Sequence, residues 1–504
     1  MSRTEPLGSI IIVGGGTAGW MTAAYLGRRL GPLGCSITLV ESASTGTIGV
    51  GEATIPSLVR YLRTLGLPQD EFLVRCSATY KLGIRFSDWI GDGQDYWHPF
   101  GLCGGRIDNI DLFHFWLRRR LAGDETSDYA HYSLQALLCR EAKAPRSVSG
   151  GSPVMDSGSY AFHLDASAFA AYLRERSVAS GVEHLFDDVT NVLRDENGHI
   201  SAIETVGGRS LAADLYIDCS GFAGALIGKG LDEPWIDWSD TLLCDRAVTL
   251  PLPRDEEMAP FTRSTALSAG WMWQIPLSHR TGAGYVYSSR HASPEQAADE
   301  LMSRVKLKRP RAADMRHLKM RIGRRRRFWV GNCIAVGLAG GFVEPLESTG
   351  IHFIQAGMEF LMEFFPDRRC DRALRDAYNR EMAALYDEVR DFILLHYVLA
   401  RREESFWRDA RAVPLPPSLE KAIALYDEAG VIDPRSTSLF GEPSRHFIFS
   451  GSGRLPRRPE VRAMLPDANE VGEILRRIRD QNERAADELP LHRALVGWLH
   501  RPPL

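Results

Sequence analysis

Four glycine and acid positions near the start carry the first legible chemistry. "SIIIVGGGTAGWMTAAYLGRRL" runs from Ser9 to Leu30 and contains Gly14-x-Gly16-x-x-Gly19 directly after the run Ile10 to Val13. A strand feeding a glycine turn and then a helix is the context a dinucleotide fingerprint requires. Gly14 allows the tight turn, Gly16 lets backbone N–H groups approach a pyrophosphate, and Gly19 lets helix and strand pack closely. The helix N-terminus then presents its positive end to phosphate. A second strand, "SITLVES", delivers Glu41 about 20 residues on, where an acid takes a ribose 2′-OH. An Arg there would indicate a 2′-phosphate. The fingerprint admits FAD or NAD. The glycine-rich "GTIGVGEATIPSL" that follows favours a loop laid against a flavin, and no second fingerprint in strand–helix context marks a nicotinamide site.

A second constellation is "GWMWQIPL", residues 270 to 277. Alternation reads as a strand with Trp271, Trp273 and Ile275 on one face, ahead of Pro276. Two indoles side by side either fill a core or wall off a cavity.

The elements that position these residues follow from periodicity. "ADLYIDCSGFAG" and "NCIAVGLAGGFVEPLESTGIHFIQAG" each read as a strand ending in a glycine loop, the second leading into a helix near Ser348. Tyr160 to Val182 reads strand, helix, then a turn at Gly181. Residues 183–218 read as a β meander with turns at Asn197-Gly198 and Gly207-Gly208. Leu374, Tyr378, Met382, Leu385, Val389, Phe392 and Leu395 recur at helical spacing, predicting one long amphipathic helix between Asp371 and Arg401. The remainder to Leu504 reads as mostly helical with proline breaks.

The 504 residues, 44% apolar and 25% charged, fit a globular protein of one large composite domain or two to three smaller ones. A net charge of −4 gives no reason to expect nucleic acid as a partner. "RIGRRRRFW", Arg321 to Trp329, reads as a solvated helix end or a loop before a buried strand rather than a basic patch. The eight cysteines show no zinc spacing and no disulfide framework, so no metal centre is expected and a reducing cytoplasm suits the chain. No signal peptide and no membrane span are expected.

The motifs "GGGTAGW", "GVGEATIP", "YKLGIRFSDW", "GWMWQIP" and "FVEPLESTGI", in this order, resemble the flavin-dependent tryptophan halogenases. The W-x-W-x-I-P motif separates that family from related flavin monooxygenases. The resemblance implies an α/β, Rossmann-like flavin-monooxygenase fold with an inserted β-sheet and a mostly helical C-terminal portion. It implies residues 1–395 as the FAD-binding domain and 396–504 as a substrate-pocket portion. It implies FAD used as FADH2, O2, and chloride or bromide. A flavin hydroperoxide would oxidise halide to hypohalous acid, which a lysine would deliver to an electron-rich ring.

By the same resemblance Lys81 is the active lysine and Glu347 the catalytic glutamate. Thr349 and Gly350 match the halide site. His98, Phe100 and Ser348 belong to the substrate pocket. Gly14, Gly16, Thr17, Ala18, Gly19, Glu41, Val50, Val189, Leu338 and Ile351 match flavin contacts. Trp271, Trp273, Ile275 and Pro276 would keep substrate from flavin. The partners implied are a separate NAD(P)H-dependent flavin reductase, a small indole-type substrate and a second copy in a homodimer.

The residue types suit these roles. A buried lysine is a compact donor whose charged form burial disfavours and a carboxylate restores. The bland reading of Lys81 and Glu347 is a structural ion pair. Ser348 and Thr349 before a helix read as caps, and the open N–H groups there also suit an anion. The C-terminal "STSLFGEPSRHFIFSGSGRLPRRP" lacks the Tyr-Tyr, Glu and Trp set that holds a free amino acid in the tryptophan-specific enzymes, which favours indole or an indole-containing compound. Two other readings are an aromatic hydroxylase of the flavin monooxygenase type and a flavin-binding sensor without turnover.

Overall fold

The computed structural model describes residues 5–43, 51–91, 93–305, 315–434 and 438–501. Val50 and much of the glycine-rich loop before it lie outside these residues. The chain divides into two compact units, each drawn from three segments. The first takes Met1–Ser77, Leu164–Ser239 and Met320–Asp387, and the second takes Ala78–His163, Asp240–Lys319 and Glu388–Leu504. This division follows spatial contact, whereas the sequence reading cuts the chain once, at residue 395.

In the first unit the apolar run after Ser9 becomes the strand Ser9–Val13, inside a six-stranded sheet. Its parallel neighbours are Ser36–Glu41, with Ile11 opposite Thr38, and Leu215–Asp218, with Ile11 opposite Tyr216. Glu183–Phe186 and Cys333–Ala335 extend the parallel ladder, and Trp329–Val330 closes one edge antiparallel. A parallel sheet is covered on both faces, which explains the unbroken apolar run at Ile10–Val13. Ile11, Val13, Val40, Tyr216 and Cys333 form one core with Ile200 and Ile203.

The expected meander over 183–218 is only partly present. Its first and last strands join the parallel sheet. Only Val189–Arg194, Ile200–Thr205 and Ser210–Leu211 make an antiparallel sheet, turning at Gly198 and Gly208 with φ of 78° and 77°. Leu215 to Ile217 are fully buried, as an interior parallel strand demands, while Val189–Arg194 is largely exposed.

The basic run is structural. Arg325 is buried and donates to the backbone oxygens of Glu233 at 2.7 Å and Ala339 at 3.2 Å. Arg327 pairs with the buried Glu233 carboxylate at 2.5 Å, and Arg324 with Asp387 at 3.0 Å. The run does lead into the strand Trp329–Val330, but it is not the solvated segment expected: it contains the strand Gly323–Arg325 and buries Arg325, because the guanidinium satisfies backbone carbonyls there.

The second unit is built on a seven-stranded sheet in the order Arg316–Lys319, Arg246–Leu252, Thr281–Tyr287, Gly270–Pro276, Phe261–Leu267, Gly83–Ser87, Asp95–Pro99. All pairings are antiparallel except Phe261–Leu267 with Gly83–Ser87. The long amphipathic helix is Arg372–Leu399. Beyond it come the helices Ser405–Ala412, Pro417–Ala429, Glu442–Gly451, Ala468–Asp487 and His492–Leu499, so the C-terminal portion is mostly helical. Among the described residues no helix is long and apolar enough to cross a membrane. All eight cysteines are buried and unbridged.

Candidate active site

The glycine turn has the shape a pyrophosphate needs. Gly14 has φ +119°, and a Cβ there would stand 2.3 Å from the Cys219 carbonyl oxygen. A Cβ on Gly19 would stand 1.8 Å from the Gly14 oxygen, so strand and helix touch only because Gly19 has no side chain. A Cβ on Gly16 would meet nothing within 4 Å. Gly16 is also the N-cap of the helix Thr17–Leu30, with no side-chain cap. The first amides of that helix receive no side-chain cap, and the space beside Gly16 is open, which together fit the phosphates of FAD.

Glu41 lies at the end of its strand against this turn, since a Cβ on Gly15 would fall 2.0 Å from its carboxyl carbon. Its Oε2 is 2.8 Å from Nε2 of His184. The His184 ring meets Trp20 edge-on at 4.9 Å. His184 has no sequence signal, because it reaches Glu41 only through the pairing of Glu183–Phe186 with Ser36–Glu41. Leu338 sits in the turn Gly337–Ala339, which presses on the helix start: a Cβ on Gly337 would be 2.8 Å from that of Ala18. Val189 packs on the edge of the core around Val40. Asp218, at the glycine junction of its strand, is consumed locally: its carboxylate accepts from the Ser220, Leu226 and Ile227 amides at 3.0, 2.8 and 2.8 Å.

The "PLESTG" stretch folds as the turn Pro345–Glu347, then Ser348 in the left-handed region at φ 61°, then the helix Gly350–Glu363. Thr349 holds the N-cap position, but contrary to the capping expectation its side chain makes no cap bond. Its backbone is helical, φ −89° and ψ −8°, rather than extended as a side-chain cap needs. Thr349 Oγ1 is buried and has no hydrogen-bond partner among the described residues. Gly350 is exposed with open space around it, and Ile351 is buried in the first turn. An orphan hydroxyl beside uncapped helix amides fits a halide. Glu347 is buried just before it.

In the second unit Lys81 is 0% exposed. It ends the strand Thr79–Lys81, opposite Ala161 of the strand Ala161–Asp165. Its Nζ stands 5.2 Å from the centre of the Phe100 ring, within cation–π range. His98 is buried on Asp95–Pro99, and its ring lies 5.6 Å from Phe392 and 6.0 Å from Phe440. Phe392 and Phe440 stack at 4.0 Å. Phe392 is one of the periodic apolar residues of the long helix, but nothing in the sequence pairs it with Phe440 or places either ring beside His98.

The strand that carries Lys81 is pinned to the tryptophan strand. Thr79 Oγ1 donates to the Pro276 carbonyl at 2.6 Å and also lies 3.2 Å from Nδ1 of His163. Burial, with Lys81 and His492 nearby, holds His163 well below the ordinary histidine range. His492 sits behind Tyr80: its Nε2 accepts from the Tyr80 amide at 3.1 Å and its Nδ1 donates to the Met258 carbonyl. Trp271 and Trp273 are buried, with rings 6.3 Å apart and tilted by 59°. Trp273 fits because Gly284 lies across from it: a Cβ on Gly284 would stand 2.2 Å from its benzo edge. Ile275 and Pro276 complete the buried strand end. A cavity of about 520 Å³, lined by Arg85, Asp95, Arg263, Met272 and Gln274, opens on the other side of this sheet, the side of Met272 and not of the tryptophans.

Comparison with known proteins gives these residues a family. A family model described as tryptophan halogenase matches residues 9–467. The tryptophan 6-halogenase ThaL of Streptomyces albogriseolus is 38% identical, over 98% of this chain and 98% of that protein. The solved structure of BrvH, a flavin-dependent halogenase from Brevundimonas sp. BAL3, is 40% identical with a TM-score of 0.91, covering 98% of this chain and 99% of that one. That of Xcc4156, a flavin-dependent halogenase from Xanthomonas campestris, is 37% identical with a TM-score of 0.93 and covers 99% of both. With a nucleotide cradle in one unit, a buried lysine and paired tryptophans in the other, and these relatives along the whole length, the chain belongs to the tryptophan halogenase family.

Proposed function

We propose that this flavin-dependent halogenase, which draws on FADH2, oxygen and halide, uses Lys81 to deliver the oxidised halogen to indole or an indole-containing compound. The observation that carries this is the buried Lys81, its Nζ beside the Phe100 ring, in a unit that also buries His98. Bound FADH2 with oxygen supplies the oxidising equivalent that turns halide into hypohalous acid. Gly16 and the uncapped helix start hold the pyrophosphate, Glu41 the ribose, and Thr17, Ala18, Val189, Leu338 and Ile351 the rest of the cofactor. Val50 is assigned here from the sequence motif alone. Thr349 and the Gly350 amide hold the halide.

Lys81 then donates a hydrogen bond to the oxygen of hypohalous acid. The ring carbon takes the halogen, the oxygen leaves as water with a proton from Lys81, and Glu347 takes the proton of the ring. His98 and Phe100 stack on the ring, and Ser348 shapes the turn that carries Glu347. The buried Trp271, Trp273, Ile275 and Pro276 keep the arene off the flavin, so that only a small inorganic oxidant crosses. The second unit brings His98 close to Phe392 and Phe440 and Lys81 close to Phe100, aromatic surroundings that suit a flat ring better than an amino-acid head group. A separate NAD(P)H-dependent reductase supplies FADH2.

The test is mass spectrometry of a reaction with FAD, a flavin reductase, NADH, oxygen and bromide, with indole and tryptophan in parallel. A bromine isotope doublet on indole that vanishes in Lys81→Ala supports the proposal. Oxygen insertion without bromine would instead identify a hydroxylase, and tryptophan as the better substrate would overturn the substrate reading.

A further inference from the structure

The helix Glu442–Gly451 begins two residues after Phe440 and places Glu442 and His446 at i and i+4, on one face. Across from them stands His114, on the helix Leu112–Ala122. One ligand atom each from His114, Glu442 and His446 lie within 4.8 Å of one another. All three belong to the second unit.

The tautomer of His446 is fixed by its partner. Its Nε2 lies 3.0 Å from the Gly430 carbonyl, which can only accept, so Nε2 carries the proton and Nδ1 presents a lone pair. That Nδ1 is buried and has no hydrogen-bond partner among the described residues. The atom it faces is Asp111 Oδ1, 3.8 Å away. Both rings are buried, His446 fully, which favours the neutral imidazole that a metal takes. A lone pair aimed at a carboxylate, beside a second carboxylate, is an electron-rich arrangement that a cation relieves.

We propose that His114, Glu442 and His446 form a structural site for a divalent cation of the zinc class. Two imidazoles and a carboxylate are the ligand types zinc takes, with water in the fourth position. Bonds of about 2.0–2.2 Å set ligand atoms of a tetrahedral ion about 3.4 Å apart, so the three side chains close in slightly on loading. The Gly430 carbonyl is the outer-shell partner that orients His446. Phe113 stacks on the same ring at 3.9 Å and holds it in place. Glu442 is part-exposed and gives the ion a way in. Two contacts compete with the metal. Arg106 pairs with Glu442 at 2.6 Å, and the Glu460 amide donates to His114 Nδ1 at 3.2 Å. Arg106 is half-exposed and can swing out, and the amide bond is the longer one. A bound ion would lock the start of the helix that follows Phe440.

The test measures metal and not halogenation, so it stands apart from the proposed reaction. Purified full-length protein is equilibrated with zinc, freed of excess, and analysed by plasma mass spectrometry. About one zinc per chain is expected in wild type and in Arg106→Ala, and a small fraction of that in His446→Gln and Glu442→Gln. Cobalt should give the visible absorption of a tetrahedral site in wild type and lose it in Glu442→Gln, whose part-exposed position protects the fold. Equal zinc in wild type and both ligand variants, or no cobalt absorption in wild type, overturns the site. Loss of stability in Arg106→Ala with no metal in any variant would leave an ion-pair cluster in its place.

Discussion

Gly284→Ala tests the packing of the tryptophan strand most directly. The new Cβ would lie 2.2 Å from both Cζ2 and Cη2 of Trp273. Those atoms belong to a buried ring on a central strand, so the indole must shift or the strands part. Overpacking of this kind costs about 1–3 kcal/mol. The φ of Gly284 is not positive, so the backbone itself accepts alanine. Trp273→Phe removes the benzo edge that clashes and, on its own, loses on the order of 1 kcal/mol of buried apolar surface. The double variant should therefore be more stable than the sum of the singles, by about 1–2 kcal/mol of coupling. Urea midpoints followed by circular dichroism, with unchanged slopes, give the four corners of the cycle. Each single variant should also lose halogenation per FADH2 consumed, because a displaced indole opens the barrier. Singles that add to the double within about 0.3–0.5 kcal/mol, the range for independent sites, would refute the account of Gly284 as the space for Trp273.

Three further outcomes follow from the geometry. Gly16→Ala should keep the melting temperature and weaken FAD binding by at least about tenfold, roughly 1.4 kcal/mol, whereas Gly19→Ala should lose both stability and FAD; a flavin titration beside a thermal melt separates them. Thr349→Val removes a buried hydroxyl that has no hydrogen-bond partner among the described residues, so stability should hold or rise, while the apparent halide KM should rise about tenfold in steady-state assays if Thr349 touches the ion. His492 is pushed by burial down to about 4. The unfolded chain accepts that proton near pH 6.5 and the folded chain does not. Between about pH 6.5 and pH 4 the unfolded state therefore binds more protons, and stability drops as pH falls through that window, by about 1.4 kcal/mol per pH unit for each such histidine. Urea midpoints across the window should show a shallower slope for His492→Gln, and an unchanged slope would count against the buried neutral ring behind Tyr80.

Legibility in the sequence tracked how local each feature is. The nucleotide cradle was readable because strand, turn and helix adjoin in the chain, so Gly14, Gly16 and Gly19 carry their own context. The long helix was readable from its apolar spacing and differs from the expected span by only a residue or two at each end. The tryptophan strand was readable from alternation. The meander over 183–218 was misread at both ends because strand pairing is a long-range choice: Glu183–Phe186 and Leu215–Asp218 found partners far away in sequence. The cap at Thr349 was misread because composition suggests a cap while backbone dihedrals decide whether the side chain can fold back.

By itself the sequence determined which chemistry the chain can hold: a dinucleotide cradle, a paired-tryptophan strand, and a lysine and a glutamate in motifs of one family. Local steric rules and side-chain periodicity are enough for that. Only the tertiary structure decided what surrounds those residues. It set His184 on Glu41, Gly284 under Trp273, Phe392 and Phe440 beside His98, and His114 opposite Glu442 and His446. Apart from the hairpin pair Trp273 and Gly284, these meetings join segments distant in the chain, and they exist because burial of apolar surface within each unit brought those segments together.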